Sequence, residues 1–95
     1  MSAYLIFTRE RTLGAKELEI YWEKIRSTFT GHEVKVLASY GQHEDLEGPP
    51  PEGTVIAEFP SMEAAKAWYD GPEYREVREH RFRGGSYRVT LVEGT

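Results

Sequence analysis

The stretch EFPSMEAAKAWYDGPEYREVREHR, from Glu58 to Arg81, decides how the rest of the chain is read. Glu58-Phe59 closes an apolar segment that begins at Thr54 and reads as a strand. Pro60 followed by Ser61 marks a helix entry, because the Ser hydroxyl can accept a hydrogen bond from a free backbone N–H of the first turn. Met62, Ala65, Trp68 and Tyr69 then recur at helical spacing. Asp70-Gly71-Pro72 interrupts the stripe, since Gly suits a helix end and Pro suits the first turn of a new helix. The spacing therefore predicts two short helices at an angle, the second carrying Tyr74, Val77 and Arg81 along one side.

Working outward, Gly84-Gly85 releases the chain into a last strand, Ser86 to Val92. Upstream, Ala3 to Phe7 is continuously apolar, as expected of a central strand covered on both faces. From Gly14 to Phe29 the positions Leu18, Tyr21, Trp22, Ile25 and Phe29 follow a helical period, with Gly31 as the stop. Val34, Val36, Ala38 and Tyr40 alternate with Glu33, Lys35, Leu37 and Ser39, the period of a strand. The segment QHEDLEGPPPEG reads as a connecting loop, open to a short hairpin extension, because its prolines cannot donate backbone hydrogen bonds. The order strand, helix, strand, strand, helix, strand predicts an α+β, ferredoxin-like βαββαβ fold with an antiparallel four-stranded sheet, in one domain over residues 1–95.

In such a fold both helices cover one face of the sheet. Placing Val55, Ala57 and Phe59 under the helices sends Ile56 and Glu58 to the other face, and Val34, Val36 and Ala38 likewise oppose Lys35, Leu37 and Ser39. The last strand offers Tyr87, Val89 and Leu91 on one side and Arg88, Thr90 and Val92 on the other. An open face holding Ile56, Leu37, Val92 and half of the first strand is a large apolar patch for a monomer, so a homodimer paired sheet to sheet is expected. The polar residues on the same face leave room for a wet interior or a small-molecule ligand.

Composition excludes several classes. With 95 residues, 39% hydrophobic and 29% charged, the chain has an ordinary globular composition, and a net charge of -4 disfavours a nucleic-acid partner. The absence of Cys removes disulfides, thiolate metal sites and thiol nucleophiles. MSAYLIFTRE lacks the long apolar core of a signal peptide and no later segment is apolar for the ~20 residues of a membrane span, so a cytoplasmic protein without membrane partner is expected. His32, His43 and His80 have no metal-ligand spacing, and no phosphate-binding loop or nucleophile elbow is present, so neither a metal nor a cofactor is expected.

The quoted stretch also resembles the characteristic block of the DUF1330 family, small proteins of unknown function. The resemblance takes in AYLIFTRE, a helix bearing Tyr21, Gly31 and Gly41 around the second strand, Leu46 to Gly48, EFPS at Glu58 to Ser61, AWY at Ala67 to Tyr69, PEY at Pro72 to Tyr74, Arg81 and the terminal LVEG. It implies a dimeric α+β barrel of two ferredoxin-like subunits and implies no activity. Gly71 stands where the family usually has a small hydroxyl residue, and His80 lies outside the family pattern, so a role for it would be particular to this protein. Some barrels of this architecture degrade haem with an Asn-Trp-His set, whereas this chain has no Asn.

Candidate site residues follow from side chains whose chemistry packing alone does not explain. Glu58, a carboxylate in a central strand, is a candidate for proton transfer or ligand anchoring, or else the structural partner of Arg81 or Arg88. Trp68 reads as core, while Tyr69 and Tyr74 carry hydroxyls that need partners when buried and are candidate ligand contacts, Tyr69 before Tyr74. Arg81 falls on the side of Tyr74 and Val77 and can bind an anionic group bidentately. The reading is a homodimer binding a small organic ligand, anionic or aromatic, through Glu58, Tyr69, Tyr74 and Arg81. Its rivals are a cofactor-independent isomerase or oxygenase using Glu58 or His80 for proton transfer, and an interaction module without ligand.

Overall fold

The structure, a computed structural model, describes all residues from Met1 to Thr95. Four strands, β1 (Ala3–Thr12), β2 (Lys35–Ser39), β3 (Gly53–Phe59) and β4 (Gly85–Glu93), form one antiparallel sheet in the order β2-β3-β1-β4. Helices α1 (Ala15–Lys24), α2 (Met62–Tyr69) and α3 (Pro72–Gly84) lie on one side of it. This is the expected ferredoxin-like arrangement, with its second helical region split at Asp70-Gly71. Ser61 caps α2 by accepting from the Ala64 N–H at 3.0 Å, and Pro72 opens α3. No helix is long and apolar enough to cross a membrane.

Cross-strand register assigns the two faces. Phe59, Ala57 and Val55 stand opposite Ala3, Leu5 and Phe7, and Leu5, Phe7 and Arg9 stand opposite Leu91, Val89 and Tyr87. These make the helix-covered face. Tyr4, Ile6 and Thr8 with Ile56, Glu58, Arg88, Thr90 and Val92 make the other. The core joins the first face to Tyr21, Ala65, Trp68, Tyr74 and Val77. Trp68 is its centre: its ring stacks on Tyr74 at 4.0 Å, tilts against Phe59 and Phe29 at 5.5 Å each, and its Nε1–H donates to Thr28 Oγ1 at 3.0 Å.

Four expectations are corrected. The first strand runs five residues past Phe7, to Thr12, because β4 pairs along its whole length despite an irregularity between Arg9 and Arg11. The first helix is α-helical only to Lys24 and tightens to a 3-10 turn over Ile25–Phe29. There the Ser27 and Thr28 hydroxyls donate to the carbonyls of Lys24 and Ile25, which compete with the ordinary ladder. In β2 a bulge between Val36 and Ala38 breaks the alternation: Val36 faces the helices opposite Ala57, but Ala38 joins Ile56 on the open face and Ser39 joins Val55 beneath the helices. The loop before β3 contains no hairpin.

Helix α1 packs mainly on α3 rather than on the sheet. Two backbone bonds from the Leu13 and Gly14 N–H groups to the Gly84 carbonyl, at 2.8 and 3.0 Å, pin its start to the end of α3. A Cβ at Gly84 would lie 2.7 Å from Leu18 side-chain atoms and 3.0 Å from the Leu18 backbone nitrogen. Gly84→Ala is therefore expected to cost about 1–3 kcal/mol by overpacking, measured as a lower urea midpoint with an unchanged m-value. A midpoint equal to that of the parent would refute this close approach.

Candidate functional site

Because α1 rides on α3, a wedge is left between it and the sheet, forming a cavity of about 700 Å³. Phe7, Val55, Ala57 and Val36 form its floor, and Tyr21, Trp22, Ile25 and Phe29 its roof. Trp68 and Arg81 are the buried residues at its inner end, Arg9, Tyr40 and Tyr87 are half-buried, and Arg26 is exposed. Three lining residues are arginines and none is a carboxylate.

Arg81 is 3% exposed and makes no ion pair. Its Nε–H donates to the Tyr74 hydroxyl at 3.3 Å and Nη2 donates to the Tyr69 hydroxyl at 3.2 Å. Its guanidinium carbon lies 5.1–5.6 Å from the rings of Phe7, Phe82 and Tyr87, so aromatic faces replace the missing carboxylate. A buried cation costs several kcal/mol in desolvation, and neutral hydroxyls and ring faces repay only part of it. The i, i+7 spacing that sets Arg81 with Tyr74 on the buried side of α3 is what carries the charge inward.

Two hydroxyl pairs lie in or behind the cavity wall. Tyr21 and Tyr74 share a hydrogen bond at 2.7 Å, and the Tyr40 and Tyr87 hydroxyls share a short one. Tyr40 adopts φ 53°, a left-handed backbone that swings its ring over Gly53, where any Cβ would collide with it. In that position Tyr40 takes the Arg9 guanidinium at 4.7 Å and the Trp22 edge at 5.7 Å. Arg9 Nε lies 3.0 Å from Glu52 Oε1 but is not aligned to donate to it, and that oxygen instead accepts from the Thr12 hydroxyl at 2.6 Å.

Burial pushes the Tyr21, Tyr40 and Tyr74 phenols above their ordinary value of 10.0. A raised folded-state pKa adds stability that is complete below pH 10 and is lost as the pH climbs toward the folded values. These three phenols are thus expected to ionise only as the protein unfolds, so their tyrosinate absorbance should appear together with loss of near-ultraviolet circular dichroism. Reversible ionisation of Tyr21, Tyr40 and Tyr74 near pH 10, with native dichroism retained, would contradict the buried hydroxyl network.

The residues singled out in the sequence do not share one site. Only Arg81 lines the cavity; Tyr69 and Tyr74 stand behind it and hold its guanidinium. Glu58 projects from the opposite face of the sheet, in a groove of about 340 Å³ with Glu33 and Lys35, and accepts from the Tyr4 hydroxyl at 3.4 Å. The structural pairs considered for it do not form: Arg88 bonds Glu10 at 2.8 Å, and Arg81 lies across the sheet. His80 lies outside the cavity, its Nδ1 2.6 Å from Glu17 Oε2, while Arg83 binds the other Glu17 oxygen at 3.1 Å. Those bonds, from His80 first and Arg83 second, lower the Glu17 carboxyl below its usual value and clasp α1 to α3. Arg9, Tyr21, Trp22, Tyr40 and Tyr87 were not anticipated as cavity residues. For Arg9 a signal existed, since continuing the two-residue period past Leu5 and Phe7 puts it on the helix face.

Sheet order, helix placement and the wedge beneath α1 define a ferredoxin-like α+β protein with a cavity between its layers. Within that class the chain belongs to the DUF1330 family, a domain of unknown function whose model matches residues 2–95. A protein of unknown function from Rhodopseudomonas palustris has a similar structure, with TM-score 0.78 and 21% identity over 99% of this chain and 82% of that one. SnoaB, a cofactor-independent oxygenase from Streptomyces nogalater, aligns with TM-score 0.64 at 7% identity over 99% of this chain and 93% of its own. A dimeric protein of unknown function and ferredoxin-like fold from Bacteroides fragilis aligns with TM-score 0.59 at 12% identity, over 98% and 96% of the two chains. No curated protein matches the sequence.

Proposed function

We propose that this protein binds a small organic anion with an apolar, aromatic body in the cavity beneath α1, the anionic group seated on Arg81. The observation that carries this reading is a buried guanidinium without a carboxylate partner at the closed end of an apolar cavity of about 700 Å³. That volume suits a small ligand, and a mostly apolar lining with a few polar groups is the usual division of labour in such sites. The apolar walls would hold the ring, and Arg81 would compensate the charge. An isomerase or oxygenase mechanism with Glu58 or His80 as base is less well supported, because neither borders the cavity.

The test is titration with benzoate and, in parallel, benzamide, followed by the fluorescence of Trp22 and Trp68, which both line the cavity. Benzoate is expected to change the emission saturably and benzamide to bind at least about tenfold more weakly, since only the anion meets the guanidinium charge. Equal affinities, or no saturable response to either, would overturn the proposal.

The second element of the reading is a homodimer formed through the open sheet face. Ile6, Ile56 and Val92 stand together there, with Val92 44% exposed, and covering them would remove an apolar patch from water. The Bacteroides fragilis neighbour is dimeric by description, which supports a dimeric state. Light scattering at micromolar concentration is expected to return twice the chain mass of 10.9 kDa, and a monomeric mass would refute the pairing.

A further inference from the structure

The Tyr21–Tyr74 pair can be resolved into a donor and an acceptor by counting hydrogens. Each phenol has one hydrogen to give and two lone pairs to receive. The Tyr74 oxygen already accepts from Arg81 Nε–H. If Tyr21 donated to Tyr74, the Tyr74 hydrogen would have no protein acceptor, in a side chain that is 0% exposed and outside the cavity lining. A buried donor left unpaired costs about 1–3 kcal/mol. In the opposite sense Tyr74 donates to Tyr21, and the hydrogen left over belongs to Tyr21, which is only 5% exposed but lines the cavity, where a bound ligand can accept it. Accepting from a cation also polarises the Tyr74 O–H and makes it the better donor of the two.

We propose that Arg81, Tyr74 and Tyr21 form a one-way hydrogen-bond relay whose terminal donor, the Tyr21 hydroxyl, binds the anionic oxygen of an aromatic carboxylate in the cavity. This rests on the anion-binding reading above and extends it from Arg81 to a hydroxyl on the opposite, α1 wall. Tyr21 is a ligand contact. Tyr74 is a positioning residue, acting through Tyr21 without touching the ligand. Tyr69, which also binds Arg81, has no hydrogen bond to Tyr21 and stands outside the relay. The arrangement selects a ligand oxygen that accepts hydrogen bonds from two directions, as a carboxylate does.

The experiment is benzoate titration of the wild type and of Tyr21→Phe, Tyr74→Phe, Tyr69→Phe and the Tyr21/Tyr74 double variant. A hydrogen bond to a charged group leads us to expect a loss of roughly tenfold or more for Tyr21→Phe. Tyr74→Phe should lose a comparable factor, Tyr69→Phe distinctly less, and the double variant no more than about twofold beyond Tyr21→Phe, because the hydroxyls act in series. Wild-type affinity in Tyr21→Phe, fully multiplicative losses in the double variant, or equal effects of Tyr74→Phe and Tyr69→Phe would each overturn the relay while leaving anion binding intact. Failure of the wild type itself to bind benzoate would instead bring down the anion-binding reading, and the relay with it. A second measurement needs no variant to fold: in wild-type protein carrying tyrosine labelled with carbon-13 at Cζ, benzoate should shift the Tyr21 and Tyr74 resonances and leave that of Tyr4, on the other sheet face, in place. A Tyr21 resonance unmoved in the complex overturns the relay.

Discussion

Replacing Trp68 by Ala is expected to remove about 3–5 kcal/mol of stability, the range for truncating a buried large aromatic. Five aromatic neighbours, Phe7, Phe29, Phe59, Tyr69 and Tyr74, would lose their common partner, and the Thr28 hydroxyl would lose the indole donor. For a small domain whose total stability is of the order of 5–15 kcal/mol, this leaves a protein marginal at room temperature. Urea denaturation measures the loss, and a change below about 1 kcal/mol would show that the aromatic cluster is not the centre of the core. Trp68→Phe should cost less, since a ring remains to stack on Tyr74 while only the indole edge and its bond to Thr28 are lost.

Arg81→Met separates function from stability. Met keeps much of the length and volume but removes the charge, so the desolvation penalty disappears together with the hydrogen bonds to Tyr69 and Tyr74. These opposing terms are each a few kcal/mol, and the net change in stability is expected within about 1 kcal/mol of zero. Benzoate affinity should behave differently. Truncating one partner of a buried charge pair costs about 2 kcal/mol or more, which predicts a loss of roughly 30-fold or greater. Arg81→Lys should not restore it, because an ammonium lacks the planar fork that reaches two tyrosines at once. Benzoate binding that survives in a well-folded Arg81→Met protein would locate the anion elsewhere. A variant that unfolds would make Arg81 a structural residue.

How much of this was legible before the fold was seen can be followed residue by residue. The split of the second helical region was readable because Asp70-Gly71-Pro72 acts through local backbone preferences, which need no tertiary partner. The two faces of β3 were readable because side-chain direction alternates along any strand. The same rule failed in β2, where the bulge at Leu37 exchanges Ala38 and Ser39 between faces, since a bulge depends on pairing with β3 and not on β2 itself. Arg81 was placed with Tyr74 on the buried side of its helix from spacing alone. Grouping it with Glu58 was an error of layers: Glu58 already belonged to the open face by period, and the helices cover the other.

From local propensity and period, the chain order alone thus settles the βαββαβ architecture, the helix break and the inward position of Arg81. The cavity is a different kind of feature. It exists because Gly84 lets α1 seat against α3 instead of the sheet, and because Tyr40 turns back over Gly53 to meet Arg9 and Trp22. Each of those contacts joins segments distant in the chain, and a void between layers has no residue of its own to announce it. Its walls are therefore decided by the angle and separation at which whole elements pack, quantities that no short-range pattern carries.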